Sequence, residues 1–535
     1  MPNKTCSGPE AIAESLFQQG VSIMTGYPGS PVTGVMDSYK QIVTGMKDYQ
    51  AIWTINEKVA FEYALGFSVT GLRTAVTIKN VGFNLLMDSL VISGLTGVNG
   101  ACIIVLGDDP GSLNSSHEQD SRLLSIAAEV PLFEPSVPQQ APNIIQHAIF
   151  VSERYRIPVV IRFTPNFVTA RAEIELPEPK SRPDSRFQRS SEIKDSACMP
   201  DYAVSLHKRI HQVREKLKQN CLTCLEQGQG EIGIIAVGDS WPKVETVLKR
   251  IDKKKIKTFR LEQVNPLPEN SLYPFLQEIK SLLVVEEGQP LAEEKIMALS
   301  QSHGLDIHIM GKLSHDLPGQ DLLYLHDIYQ AITHLSQEHM DEDIFSDLFQ
   351  EPKLWAGMKP LCWGCPYGRV YESLSQYWQD NGMYEPALAT EPGCGVRLKY
   401  APYNKVDLKF CMGSASPVVS AVSQVYTSER PVAIIGDSAF LNSGIPGLIQ
   451  ACHLQSRILI IIINNYSAAL TGYQPTLESG PEETKVVLTN LIKGIGPAFF
   501  ISIDEEEFDQ LPKIFEQAYK AKGTAVILVN APCPE

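Results

Sequence analysis

PVAIIGDS (Pro431–Ser438) and ILIIIINN (Ile458–Asn465) decide how this chain is read. Each is an apolar run that stops abruptly on polar residues, as a strand buried on both faces does at its end. Asp437 and Asn465 lie 28 positions apart, room for one strand–helix–strand crossover. Such a crossover returns both polar tips to the carboxyl edge of one parallel sheet, where α/β folds bind ligands. A carboxylate and an amide oxygen meeting there, with the backbone carbonyl of Ser467, suit a small hard cation that must also hold a diphosphate.

The rest of the chain fits that reading. Its 535 residues predict about three domains of ordinary size. A hydrophobic content of 44% and a charged content of 20% are globular values. The net charge of −15 argues against a nucleic-acid surface, and no apolar run reaches the ~18–20 residues of a membrane helix. The first residues lack the basic-then-apolar pattern of a signal peptide, so a cytoplasmic protein is expected. They read as a helix capped by Ser7 and Glu10, with Pro9 in its first turn and Gly20 at its end. The 11 cysteines are expected to be thiols rather than disulfides, with Cys102 and Cys452 in apolar runs as packing residues.

Val21–Thr25, Thr74–Ile78, Ala101–Leu106 and Ile157–Phe163 read as buried parallel strands, with helical spacing in Lys58–Gly71 and Asn84–Gly94. Glu173–Pro200, rich in Pro, Ser, Arg and Asp, reads as a linker. One basic helix is expected over Asp201–Glu226. A second α/β unit begins near Glu231, with strands at Ile232–Val237, Thr258–Leu261 and Ser281–Glu286, and runs to about Leu335. The acidic segment Glu338–Glu351 leads to a third unit near Leu354. The fold class is therefore α/β: three doubly wound domains at 1–180, 229–340 and 354–535, with a linker and helix over 181–228.

Eight short motifs in order resemble the 2-oxoacid:acceptor oxidoreductases, and most closely the α subunit of indolepyruvate:ferredoxin oxidoreductase. They are GYPGSP (Gly26–Pro31), NEKVAFEYALG (Asn56–Gly66), GDDPG (Gly107–Gly111), HEQDSR (His117–Arg122), LCWGCP (Leu361–Pro366), CMG (Cys411–Gly413), GDSAFLNSGIP (Gly436–Pro446) and TGYQP (Thr471–Pro475). The resemblance implies a pyrimidine-binding domain, a transketolase-C-terminal-like domain and a diphosphate-binding domain, with thiamine diphosphate between the first and third. It also implies oxidative decarboxylation of an aryl or branched 2-oxoacid, with electrons passing through one [4Fe-4S] cluster to ferredoxin or another acceptor. The implied assembly pairs the chain with a smaller γ-type subunit in a dimer of heterodimers.

Residue by residue, the resemblance makes Glu57 the carboxylate that hydrogen-bonds the aminopyrimidine. Read alone, Glu57 is a first-turn glutamate favoured by the helix dipole; with Asp437 and Asn465 present the catalytic reading is preferred. Asp437, Asn465 and the Ser467 carbonyl become Mg ligands; the plain alternative is a helix cap followed by a turn. Gly436, Ser438, Gly413 and Thr471 become cofactor-binding positions. Leu470 or Met412 would bend the cofactor, because Ser414–Pro417 lacks the usual apolar residue. Ser30 would hydrogen-bond the oxo group and Arg122 would clamp the substrate carboxylate, against the alternative of a solvated arginine. Cys362, Cys365 and Cys394 match three cluster ligands and Cys533 a fourth; zinc is the competing metal. Cys221 and Cys224, inside the expected helix, read as structural.

Three positions depart from the indolepyruvate pattern, where Asn80, Tyr367 and Asn442 replace histidine. The resemblance therefore carries over neither indolepyruvate as substrate nor any proton transfer made by those histidines. The family's C-terminal ferredoxin-like extension is not in these 535 residues, so electrons are expected to leave through another polypeptide. Two other readings use the same residues. One is a non-oxidative thiamine-diphosphate decarboxylase or lyase, which needs no cluster. The other is a regulatory or assembly subunit that has lost its chemistry.

Overall fold

A computed structural model describes residues 3–112, 115, 118–185, 211–218, 225–251, 255–319, 322–350, 360–427, 429–479 and 485–534. The chain divides into two compact units, Met1–Trp355 and Ala356–Glu535.

The first unit holds two large sheets. In the seven-stranded sheet the order is Gln263–Asn265, Leu132–Phe133, Val159–Phe163, Cys102–Gly107, Thr74–Lys79, Ile23–Gly26, Gln50–Trp53. All pairs are parallel except the first, where Gln263–Asn265 runs antiparallel to Leu132–Phe133. The central strands are apolar and fully buried, as expected where helices cover a parallel sheet. From Ile23–Gly26 the chain moves outward to Gln50–Trp53 and then back past it to Thr74–Lys79. The carboxyl ends of those two adjacent strands thus flank a topological switch point, a crevice for ligand.

The five-stranded sheet has the order His308–Met310, Ser281–Val285, Ile232–Val237, Ile256–Leu261, Leu225–Gly228. Gln263–Asn265 leaves this sheet's neighbourhood to extend the other one, so the two sheets share one compact unit.

The second unit is built on a six-stranded, all-parallel sheet in the order Leu408–Lys409, Leu388–Thr390, Val432–Gly436, Leu459–Asn464, Ala525–Asn530, Phe499–Asp504. Val432–Gly436 and Leu459–Asn464 are the two apolar runs that lead into Asp437 and Asn465, and they are direct neighbours. The switch point here lies between Leu388–Thr390 and Val432–Gly436.

The N-terminal helix is Gly8–Gln18, with the expected capping box: the Ser7 amide and hydroxyl both donate to the Glu10 carboxylate, at 2.7 and 2.8 Å. Ahead of it, Asn3–Ser7 forms a strand that the sequence pattern does not predict, pairing antiparallel with Arg171–Glu175. That partner overlaps the start of the expected linker at Glu173. Its side chains are mostly exposed, so the pairing is carried by backbone hydrogen bonds and leaves no hydrophobic pattern. A second correction concerns the linker and helix over 181–228: its last residues, Leu225–Gly228, which overlap the end of the expected helix, are the antiparallel edge strand of the five-stranded sheet. Residues 211–218 are helical, while Cys221 and Cys224 lie outside the described residues. The helix expected over Asn84–Gly94 starts later and runs on to Thr96, as Met87–Thr96, and a short helical turn, Asn80–Phe83, precedes it. Among the described residues no helix is long and apolar enough to cross a membrane.

Candidate active site

In the first unit the residues singled out by sequence gather at the carboxyl edge of the seven-stranded sheet. Glu57 opens the helix Glu57–Val69, capped by Asn56, whose side chain accepts the Val59 amide at 2.8 Å. Glu57 is 6% exposed. Its carboxyl rests against Gly82, where an added Cβ would lie 2.3 Å from Oε1, so a larger residue there would displace the Glu57 side chain. Lys79, at the end of its strand, shares this crevice. Burial lowers the Lys79 ammonium's pKa, while the Asp109 and Glu57 carboxylates pull it back up. Ser30 lies in the turn after Ile23–Gly26, beside Gly29, whose added Cβ would be 2.9 Å from the Lys79 side chain. Asn80 is completely buried, and among the described residues neither amide atom has a hydrogen-bond partner.

Arg122 is held by the protein's own carboxylates. It is 1% exposed and packs between the two sheets of the first unit. Its guanidinium donates to Asp120 (Nη2–Oδ2, 2.6 Å), to Glu286 (Nη1–Oε2, 2.6 Å) and to the Gln289 carbonyl (2.6 Å). Glu134 lies 4.0 Å from its Nε. Burial alone would raise the Asp120 carboxyl, but the Arg122 and Arg162 charges hold it well below the usual range. Burial pushes Glu134 up to about 7 in spite of both arginines. Most of its donors are engaged in this buried ion-pair network, the contacts of a structural clamp. Sequence alone does not distinguish a clamping arginine from a ligand-binding one, because the Glu286 partner is 164 residues away.

In the second unit Asp437 starts the turn after Val432–Gly436 and is 2% exposed. The Ser438 amide donates to its Oδ1 at 2.7 Å, while Oδ2 has no partner among the described residues. Burial pushes its pKa up to about 7, against the pull of the Ser438 amide. The Asn465 amide lies 2.8 Å from the Ser467 carbonyl and 3.3 Å from Asp437 Oδ1. With its oxygen turned inward, three oxygens converge, an arrangement a cation would favour. With its nitrogen inward, the amide bridges the other two. The nitrogen-inward orientation satisfies both neighbours as the site stands; the oxygen-inward one gives an all-oxygen set with one charge, the donor type that Mg shared with a phosphate takes. Asn464 donates to Glu478 and, at 3.0 Å, to Asn530, which ties the loop after this strand back onto the sheet. That loop forms a small hairpin, Ser467–Ala468 with Gln474–Pro475, and its tip carries the half-exposed Leu470. Within it Thr471 donates to Gln474 Oε1 at 2.7 Å.

Gly413 has a φ of +84°, and an added Cβ would lie 2.5 Å from the Ser443 carbonyl. Its amide and that of Ala415 are held by Glu391, a buried carboxylate at the end of Leu388–Thr390. Burial raises the Glu391 pKa, and its Oε2 has no partner among the described residues. Sequence reasoning passed over Glu391 and Lys79. The available signal was the same in both: a charged residue directly ending a short apolar run. Asn442 lies in a π-helical turn, Phe440–Gly444, a distortion often found near functional sites.

Cys362, Cys365, Cys394 and Cys533 come from three separate segments, all as free thiols. They lie close enough to act on one another's ionisation: Cys362 and Cys533 both raise Cys365 and Cys394. Burial is the larger cause and pushes Cys394 up to about 12, opposed by the Arg397 guanidinium. Cys365 caps the helix Pro366–Asp380, and the Tyr367 and Gly368 amides point to its sulfur. Among the described residues no three His, Cys, Asp or Glu side chains close round one point to hold a single ion. A zinc site needs its sulfurs at about 2.3 Å from one centre; a cubane binds each thiolate to a different iron and spreads them apart. Four thiols, two of them at C-x-x-C spacing, are the donor type of iron–sulfur and zinc sites alike. Between it and the Gly436–Asp437 turn sits the buried ring of Tyr367, on which Cys394, Asp437, Cys365 and Glu391 all act.

Residues 14–219 match the family model described as "Pyruvate flavodoxin/ferredoxin oxidoreductase, thiamine diP-bdg". Residues 399–529 match "Thiamine pyrophosphate enzyme, C-terminal TPP binding domain". The chain is 30% identical over 540 residues to the indolepyruvate oxidoreductase subunit IorA of Methanothermobacter marburgensis, covering 98% of this chain and 86% of that protein. It is 27% identical to the Archaeoglobus fulgidus subunit of the same name, with the same coverage of 98% and 86%. Among solved structures, the 2-oxoglutarate:ferredoxin oxidoreductase of Magnetococcus marinus shares the fold, with a TM-score of 0.52 at 14% identity over 62% of this chain and 65% of that one.

Proposed function

Because the chain belongs to the thiamine-diphosphate-dependent 2-oxoacid oxidoreductases, as a relative of the IorA subunits, we propose that it oxidatively decarboxylates an aryl or branched 2-oxoacid. In this reading it holds Mg and one [4Fe-4S] cluster, and a smaller γ-type subunit or ferredoxin receives the electrons. Thiamine diphosphate, when bound, supplies the nucleophilic carbon and the electron sink that the side chains lack.

The chain's own residues divide the remaining work. Glu57 shares a proton with the aminopyrimidine; its buried setting on Gly82 keeps water from competing for that bond. Asp437, Asn465 and the Ser467 carbonyl hold Mg, and Gly436 and Ser438 let the backbone approach the diphosphate. Gly413, fixed by Glu391, gives the cofactor a second backbone edge. Ser30 is placed to hydrogen-bond the substrate oxo group. Cys362, Cys365, Cys394 and Cys533 would ligate the cluster, which would supply a one-electron carrier beside the cofactor.

The observation that carries this reading is the pairing, inside one unit, of the three-oxygen set at Asp437 with the thiol quartet. A non-oxidative decarboxylase would need the first and not the second. The test is anaerobic reconstitution of the full chain with iron and sulfide. About four irons per chain, together with viologen reduction by a 2-oxoacid, is the expected result. Thiamine diphosphate binding without iron would replace it with the non-oxidative reading.

A further inference from the structure

The first unit holds a cleft of about 520 Å³ that uses none of the residues assigned above, a size typical of small-molecule sites. One wall is the helix at 211–218. Val213 and Leu217 bury one of its faces, and the Gln263 side chain donates to the Leu217 carbonyl at 2.9 Å. The opposite face, with His211, Arg214 and Lys218 at helical spacing, therefore lines the cleft. A second wall is the helix Leu291–Ser302, which contributes Lys295 and Leu299. Asn265 and Leu267 add to the lining between them in sequence.

Lys295 is the group that lacks a counterpart. It is half-buried, and its ammonium reaches only two neutral oxygens, the Val264 carbonyl at 3.5 Å and Asn265 Oδ1 at 3.4 Å. Both contacts are longer than the usual 2.7–3.2 Å of roughly linear N–H···O bonds, and neither oxygen carries charge. The Asn265 amide is itself committed, donating to the Val130 carbonyl at 2.8 Å. Among the described residues no carboxylate forms an ion pair with Lys295. Glu286, the carboxylate that acts on it, already accepts from Arg122 at 2.6 Å. Burial, Arg214 and Arg122 push the Lys295 ammonium down to about 8, so its surroundings disfavour the charge it carries.

The other charges of the cleft do not supply the missing anion. Lys218 holds both of its carboxylates, Glu269 at 3.0 Å and Glu215 at 3.1 Å. Arg214 meets Glu129 through Nη1 at 3.0 Å, and Glu129 is not part of the lining. An anion entering the cleft would thus find Lys295 and Arg214 on two different walls. A phosphate head, with three oxygens to divide between donors on separate walls, suits that arrangement better than a carboxylate with two, and lysine binds phosphate as a point charge. The apolar side chains of Leu267 and Leu299 leave room for an organic body beside the head.

We propose that this cleft binds a small organic phosphate monoester, its head held by Lys295 and Arg214 and its body set against Leu267 and Leu299. Bound there, the ligand ties the helix at 211–218 to the helix Leu291–Ser302. The inference does not rest on the proposed function, and either can fail without the other.

The test titrates the full chain with phenyl phosphate by calorimetry, with Lys295→Met, Lys295→Arg and Arg214→Gln alongside and circular dichroism as the check on folding. Lys295→Met removes a charge-assisted contact, so its Kd is expected to rise about tenfold or more. Lys295→Arg keeps the charge and should retain most of the affinity. Arg214→Gln alters the facing wall at a partly exposed position, should also weaken binding, and carries the test if Lys295→Met does not fold. Benzoate, with the same ring and a single charge, should bind more weakly than phenyl phosphate. Absence of binding to the unaltered chain overturns the proposal, as does an unchanged Kd in either folded charge-removing variant, which would put the phosphate elsewhere. Benzoate bound as tightly as phenyl phosphate overturns the choice of phosphate.

Discussion

Replacing Arg122 with methionine separates the two roles a buried arginine can have. The guanidinium sits among three carboxylates, Asp120, Glu286 and Glu134, whose side chains are 2%, 1% and 3% exposed. Methionine fills a similar volume but takes the guanidinium from Asp120 and Glu286, leaving Arg162 beside Glu134 as the remaining cation. Breaking a buried pair in this way costs about 3–5 kcal/mol. With a urea slope of about 3 kcal/mol/M, the unfolding midpoint should fall by about 1–1.7 M. Far-UV circular dichroism of the full chain would follow it.

The pH dependence of that deficit has a definite sign. In the intact protein Asp120 is held below its ordinary range, so the stability it contributes is present at neutral pH and is lost only in strong acid. Without the guanidinium, burial dominates and the folded-state pKa values rise above their unfolded values near 4. Carboxyls so raised favour the folded state at low pH and lose that advantage as pH climbs through the folded-state pKa. The Arg122→Met deficit should therefore be largest near pH 8 and shrink toward pH 5. Arg122→Lys, which keeps the charge and loses the fork, should fall between. A methionine variant with an unchanged urea midpoint and a raised KM for a 2-oxoacid would refute the structural assignment.

Glu57→Gln should still bind thiamine diphosphate but lose at least about a hundredfold in turnover, with hydrogen–deuterium exchange at the thiazolium slowed in parallel; a near-normal exchange rate would remove Glu57 from its role. Asp437→Ala should abolish the thermal shift produced by thiamine diphosphate plus Mg, which in the unaltered chain is worth about 2.7 kcal/mol at a hundred times Kd. A shift that survives would relocate the metal. Cys362→Ser should reduce iron content and bleach the visible absorbance of the reconstituted chain, whereas Cys452→Ser should change neither. The opposite pattern would show that the wrong thiols were chosen.

The strands of both switch points are legible in the residue pattern itself. A parallel strand buried on both faces must be apolar along its length, and the polar residue that ends it marks the ligand edge; Val432–Gly436 with Asp437 and Leu459–Asn464 with Asn465 show both. The Ser7–Glu10 cap is legible for a similar reason, since its partners are three residues apart. Asn3–Ser7, Arg171–Glu175 and Leu225–Gly228 are not, because edge strands pair through backbone groups and leave little hydrophobic pattern.

Sequence by itself determined the α/β class, the two ligand-bearing edges and the residue types gathered there, since each depends on local periodicity and on where an apolar run ends. Only the tertiary structure decided what each charged or polar residue meets. It joined Cys533 to Cys365 and Cys394, consumed the Arg122 guanidinium in a buried network, fixed Gly413 through Glu391 and set Tyr367 against Gly436. Those partners lie tens to more than a hundred residues apart. Electrostatics and packing act through space, and a linear pattern records only which groups are available to act.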